Sequence, residues 1–195
     1  MKIYIALLLT ALIVAARAET LLLTGGTNHT LNVPVGKAAY FTGTFGDDEA
    51  FEITASVQIG SSTYGGILIG FGDIGTKLRV VTGPATVTFS AYSNAAVTYR
   101  FVTGVSSLIL PPQQSQIIQL AAGRTLKTVY ALNDSENGYP LRLRVTKGGS
   151  TVEMPYSDAK NNELTGPLTI QVFNDSPAKI ATFAYSIIRP IAKLP

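Results

Sequence analysis

Thr82-Gly83-Pro84-Ala85-Thr86-Val87 returns 83 residues later as Thr165-Gly166-Pro167-Leu168-Thr169-Ile170. In each copy a Gly-Pro turn hands over to small and β-branched residues, the pattern of a chain leaving a turn and entering a strand. The echo extends in both directions. Ser93-Asn94-Ala95 and Ser176-Pro177-Ala178 follow the two blocks, and each precedes another β-rich run, 97–102 and 180–188. Upstream, Leu31-Asn32-Val33-Pro34-Val35-Gly36-Lys37 is matched more loosely by Ile118-Gln119-Leu120-Ala121-Ala122-Gly123-Arg124, 87 residues on, so small insertions separate the two frames.

The rest of the chain has the same texture. Short apolar or period-2 runs are punctuated by Gly, Pro, Asn and Ser, and no convincing helical periodicity follows residue 18. Strands are expected over 30–33, 37–43, 51–59, 66–71, 77–81, 85–91 and 96–102, then over 116–120, 125–132, 141–146, 150–154, 168–174 and 180–188. Lys147-Gly148-Gly149-Ser150 reads as a tight hairpin. The fold expected is all-β: two tandem antiparallel β-sandwich modules, jelly-roll or Ig-like, related by internal duplication. A single larger sandwich is the other arrangement the length allows. The divisions are a leader at 1–18, a first module at 19–103, a linker at 104–114 around Pro111-Pro112, and a second module at 115–195.

Met1-Lys2-Ile3-Tyr4 carries one positive charge and precedes an apolar run from Ile5 to Ala16. Ala16-Arg17-Ala18 then supplies a small-x-small cleavage signature. The run is shorter than the about 20 residues needed to span a bilayer core. The expectation is a cleaved signal peptide, a mature chain starting at Glu19, no transmembrane segment after cleavage, and a secreted protein, extracellular or periplasmic.

Several chemistries are disfavoured. Loss of Lys2 and Arg17 leaves 13 basic against 12 acidic residues, without the clustered cations that nucleic-acid binding requires. Arg142 and Arg144 share one strand face, which reads as a solvated face. The absence of cysteine removes disulfides, thiolate nucleophiles and Cys-based metal sites. The lone histidine, His29, sits in Gly25-Gly26-Thr27-Asn28-His29-Thr30 without a neighbouring acid, and no Gly-x-Ser-x-Gly elbow exists. No catalytic residue is assigned.

What remains are binding chemistries. Asp47, Asp48 and Glu49 cluster after Gly46 and offer hard oxygen ligands, so calcium is the one cofactor left open, with Asp134 or Glu136 as a weaker second place. Tyr64, Tyr139 and Tyr156 lie in loop-like contexts where a ring stacks on a sugar. The apolar stretch 65–72 reads as a buried, β-rich strand and a sheet edge able to add a partner's strand. Sequons occur at Asn28, Asn133 and Asn174. The leading functional expectation is an exported, non-enzymatic structural or adhesive protein that partners other proteins or itself. The first alternative is a carbohydrate-binding module or lectin using loop tyrosines. The second is a glycoside hydrolase built on paired carboxylates.

Overall fold

A computed structural model describes residues 18–47, 52–71, 78–132, 141–155 and 163–189, all of them strand, turn or connection. The first eight strands are β1 Glu19–Leu23, β2 Asn28–Val33, β3 Ala38–Gly46, β4 Glu52–Ile59, β5 Ser62–Phe71, β6 Val80–Thr82, β7 Ala85–Ala91 and β8 Ala95–Val102. The next eight are β9 Ser106–Leu110, β10 Ser115–Leu120, β11 Thr125–Leu132, β12 Leu141–Lys147, β13 Ser150–Pro155, β14 Leu164–Thr165, β15 Leu168–Asn174 and β16 Ala181–Ile188. Among the described residues no helix is long and apolar enough to cross a membrane.

The strands form four antiparallel sheets in the orders β1-β8-β3-β6, β2-β7-β4-β5, β9-β16-β11-β14 and β10-β15-β12-β13. Adding eight to each label of the first two orders gives the other two. Eight strands wound in this order between two four-stranded sheets make a jelly roll, so the chain contains two of them. The likeness reaches single residues. β3 has a register shift between Phe41 and Gly43, and β11 has one between Thr128 and Tyr130, 87 residues on.

The repeated Gly-Pro block explains itself in space. Gly83 N–H donates to Lys37 O at 2.9 Å, and Gly166 N–H to Arg124 O at 2.9 Å. A Cβ on Gly83 would collide with the carbonyls of Val33 and Pro34, and one on Gly166 with those of Leu120 and Ala121. Gly36 and Gly123, at φ +74° and +67°, turn the chain at the matching positions. The loose upstream echo is therefore the other half of the same contact.

Alternation builds the cores. β7 and β15 bury every second residue along their length. In the first sandwich Phe41 and Phe89 meet edge to face, centroids 5.7 Å apart, across the two sheets. In the second, Phe183, Leu126, Leu143 and Ile170 are fully buried.

Three features differ from the sequence expectations. The stretch read as a linker, 104–114, contains β9, which pairs with β16. Its alternating side chains serve both cores: Ile109 is buried in the first and Leu110 in the second. Pro111-Pro112 ends this strand instead of separating two domains. Tyr64 is in β5, not a loop; Gly65-Gly66 occupy an irregular stretch of that strand, with Gly66 at φ +69°. β5 does end its sheet, as expected for the stretch 65–72. The sandwiches meet where Ala38, Val80 and Ala184 are buried together, and Thr82 N–H donates to Ser107 Oγ at 2.9 Å.

Candidate functional site

The second module packs against strands of the β1-β8-β3-β6 sheet, and among the described residues none covers the outer face of β2-β7-β4-β5. Strand register arranges that face in rows. Asn28, Ser90 and Thr54 form one; Thr30, Thr88 and Ser56 the next; Asn32, Thr86 and Gln58 the third. Each side chain points away from the core, because its neighbours along the strand are the buried ones. None is charged. Thr86 Oγ1 donates to Asn32 Oδ1 at 3.1 Å, and Gln58 Nε2 to Gly60 O at 3.4 Å.

A groove of about 520 Å³ opens beyond the first row, lined by Gly26, Glu52, Thr54, Ser90, Ala91 and Tyr92. Tyr92 stands in the β7–β8 turn and is 91% exposed. The turn is held firmly. Gly26 N–H donates to Ala91 O at 2.9 Å, Gly25 N–H to Asn94 Oδ1 at 3.2 Å, and Tyr92 N–H to Glu52 O at 3.4 Å. A Cβ on Gly25 would lie 2.8 Å from Tyr92 O, so glycine is needed for this approach. His29 belongs to the same framework: Nε2 accepts the Thr24 N–H at 2.9 Å and lies 2.8 Å from Thr27 Oγ1. Its ring nitrogen braces the 24–27 turn. A second groove of about 430 Å³ lies beyond the third row, with Asn32, Gln58 and Thr86 in its lining.

The second sandwich has a different chemistry at the equivalent place. By strand register Phe173 stands where Ser90 does and Arg142 where Thr54 does, while Asp175 follows Phe173 as Tyr92 follows Ser90. Arg142 donates from Nε to Asp175 Oδ2 at 2.9 Å, from Nη2 to Asp175 Oδ1 at 3.0 Å, and from Nη1 to Glu153 Oε2 at 2.8 Å. Arg144 Nε donates to Glu153 Oε1 at 2.6 Å. The Cζ atoms of Arg142 and Arg144 lie 4.3 and 5.0 Å from the Phe173 ring centroid. The Asp175 bonds foremost raise the Arg142 pKa, and the Arg144 bond foremost lowers that of Glu153. A cavity of about 170 Å³ lies beside this network. Where the first jelly roll has Thr54 in the groove lining, the second has the ion-paired Arg142.

Of the candidate ligand residues read from the sequence, Tyr64 and Asp47 are described, and they stand on different strands, β5 and the end of β3. Tyr64 lies opposite the buried Val57 and packs, half-buried, against the first core. Asp47 is exposed at the end of β3, where its N–H donates to Asn94 O at 3.1 Å. Asp48, Glu49, Asn133, Asp134, Glu136, Tyr139 and Tyr156 lie outside the described residues. Among the described residues no three His, Asp or Glu side chains gather to hold a metal. Asn28 is exposed, whereas Asn174, a sequon expected in a loop, ends β15 and is 1% exposed. Tyr92, Glu52 and Ser90 were not singled out as a group. Tyr92 and Glu52 are 40 positions apart, and they are brought together by the Ile53–Ala91 register and the Tyr92 N–H to Glu52 O bond that extends it.

Fold and groove define a class: a double jelly roll whose first half carries three rows of uncharged polar side chains beside a groove that includes Glu52. No protein-family model matches the chain, and no curated protein is significantly similar to it.

Proposed function

We propose that the protein is an exported, non-enzymatic adhesion protein whose first jelly roll holds a neutral glycan in the groove beside Tyr92. The observation that carries this reading is the nearly fully exposed Tyr92 ring next to Glu52, Thr54 and Ser90, in a groove that opens onto an uncharged sheet face. A sugar presents apolar C–H faces and polar hydroxyl edges. An exposed ring covers the former, while a carboxylate and hydroxyls bond the latter. Export rests on the leader-like 1–18 segment.

The test is a glycan array followed by calorimetric titration of the best ligand. Tyr92→Ala and Glu52→Gln are expected to weaken binding at least about tenfold while melting temperature stays unchanged. Failure of every glycan to bind sinks the reading. A second reading is self-association through β5, an uncharged edge strand of its sheet. Light scattering that finds concentration-dependent multimers, with and without calcium, would favour it.

A further inference from the structure

We infer that the three rows between the two grooves form one continuous track for an extended, uncharged polysaccharide chain running along the strands. This rests on the glycan reading and goes further, from a site for one sugar to a site for a polymer.

Three observations support it. First, the grooves stand at opposite ends of the same face, one beyond Asn28–Ser90–Thr54 and the other beyond Asn32–Thr86–Gln58, with Thr30–Thr88–Ser56 between them. The outer rows are four residues apart along each strand, about 13 Å at the usual strand rise, and three strands make a strip about 10 Å wide. That is a path for a single chain rather than a pocket for a chain end.

Second, all nine side chains are uncharged hydroxyls and amides. Protein surfaces commonly intersperse Lys, Arg, Glu and Asp, which keep them soluble, and none stands in these three rows. A charged side chain under a neutral ligand would lose hydration with nothing to replace it, whereas Thr, Ser, Asn and Gln exchange water for sugar hydroxyls at little cost. The face therefore favours a neutral polymer and gives no purchase to a polyanion.

Third, the duplication supplies a contrast. In the second jelly roll the equivalent rows are Ser115–Phe173–Arg142, Ile117–Gln171–Arg144 and Gln119–Thr169–Thr146; the third is uncharged as in the first copy, but the other two carry arginines tied down by Glu153 and Asp175. Among the described residues, two ion-paired arginines interrupt the second copy's rows and no charged side chain interrupts the first's. With one exposed ring, Tyr92, at one end, most of the grip comes from hydrogen bonds spread along the track, so affinity must grow with chain length.

The experiment titrates the full secreted chain with cello-, xylo- and malto-oligosaccharides from monosaccharide to hexasaccharide, with polygalacturonate as the charged probe. In one series, affinity should rise at least about tenfold from disaccharide to hexasaccharide, and polygalacturonate should not bind. Thr88→Arg, in the middle row, should remove the gain with length. Gln171→Arg, its counterpart in the second sandwich, should leave that gain unchanged. Circular dichroism of both variants checks the fold. Equal affinity at every length, or a hexasaccharide indifferent to Thr88→Arg, overturns the track and leaves the Tyr92 groove standing. No binding of any neutral saccharide, here or on the array, overturns both.

Discussion

Asn174 and Ala91 occupy the same place in the two jelly rolls, yet only Asn174 is a structural clamp. Its Nδ2 shares its two hydrogens among the carbonyls of Leu110, Pro111 and Lys179 at 2.9, 3.0 and 2.8 Å, and its Oδ1 accepts Ser176 N–H at 3.1 Å. Asn174→Ala strips partners from several buried backbone groups at once and should cost about 2–4 kcal/mol in denaturant unfolding. The same burial makes the sequon unusable in the folded protein, and mass spectrometry of the secreted chain should find this asparagine unmodified. Tyr99 allows a prediction in pH. Burial first, then its 2.8 Å hydrogen bond to Glu19, pushes the phenol up to about 12. The folded state therefore favours the protonated ring. That contribution is complete below the ordinary tyrosine value of about 10 and is lost as pH climbs from there through about 12. Absorbance titration should find a late-ionising tyrosine, and Glu19→Gln should bring it down only part of the way, because burial remains.

At the scale of elements, the Gly-Pro turns decide how each sandwich closes. Gly83→Ala and Gly166→Ala drive a methyl into backbone carbonyls that no side-chain rotation can move, so each should cost at least about 2 kcal/mol by guanidinium unfolding. This packing is also why the repeat was legible: a position that admits only glycine survives in both copies while the strands around it diverge. Alternation made β7 and β15 readable for a similar reason, since each buries one face against a full core. β1, β9 and β14 were not readable. β1 follows the leader directly, β14 is two residues long, and β9 runs into Pro111-Pro112, which reads as a connection. Tyr64 was misplaced because Gly65-Gly66 look like a turn, although they lie within a long strand. The groove was hidden for a different reason: Glu52 comes from β4 and Tyr92 from the turn after β7. No local pattern announces a pair made by register.

For the whole molecule the question is whether two jelly rolls behave as two bodies. A linker at 104–114 would make them independent, with separate melting transitions. β9 instead gives Ile109 to one core and Leu110 to the other, at 2% and 0% exposure. Unfolding the second sandwich must then withdraw a core residue from the first. Around this shared strand, Ala38, Val80 and Ala184 are buried together, and Thr82 is bonded to Ser107. Two consequences separate this arrangement from beads on a string. Calorimetry of the full chain should show a single cooperative transition. Ile109→Ala, a change within a strand of the second sandwich, should destabilise by about 2–5 kcal/mol, and the loss should fall on the first, in hydrogen exchange at β2, β4 and β7. Ala184→Asp places a charge in the buried contact between the sandwiches while leaving Ile109 in place. It should split the calorimetric peak in two if that contact carries the coupling, and leave one broadened peak if β9 alone suffices.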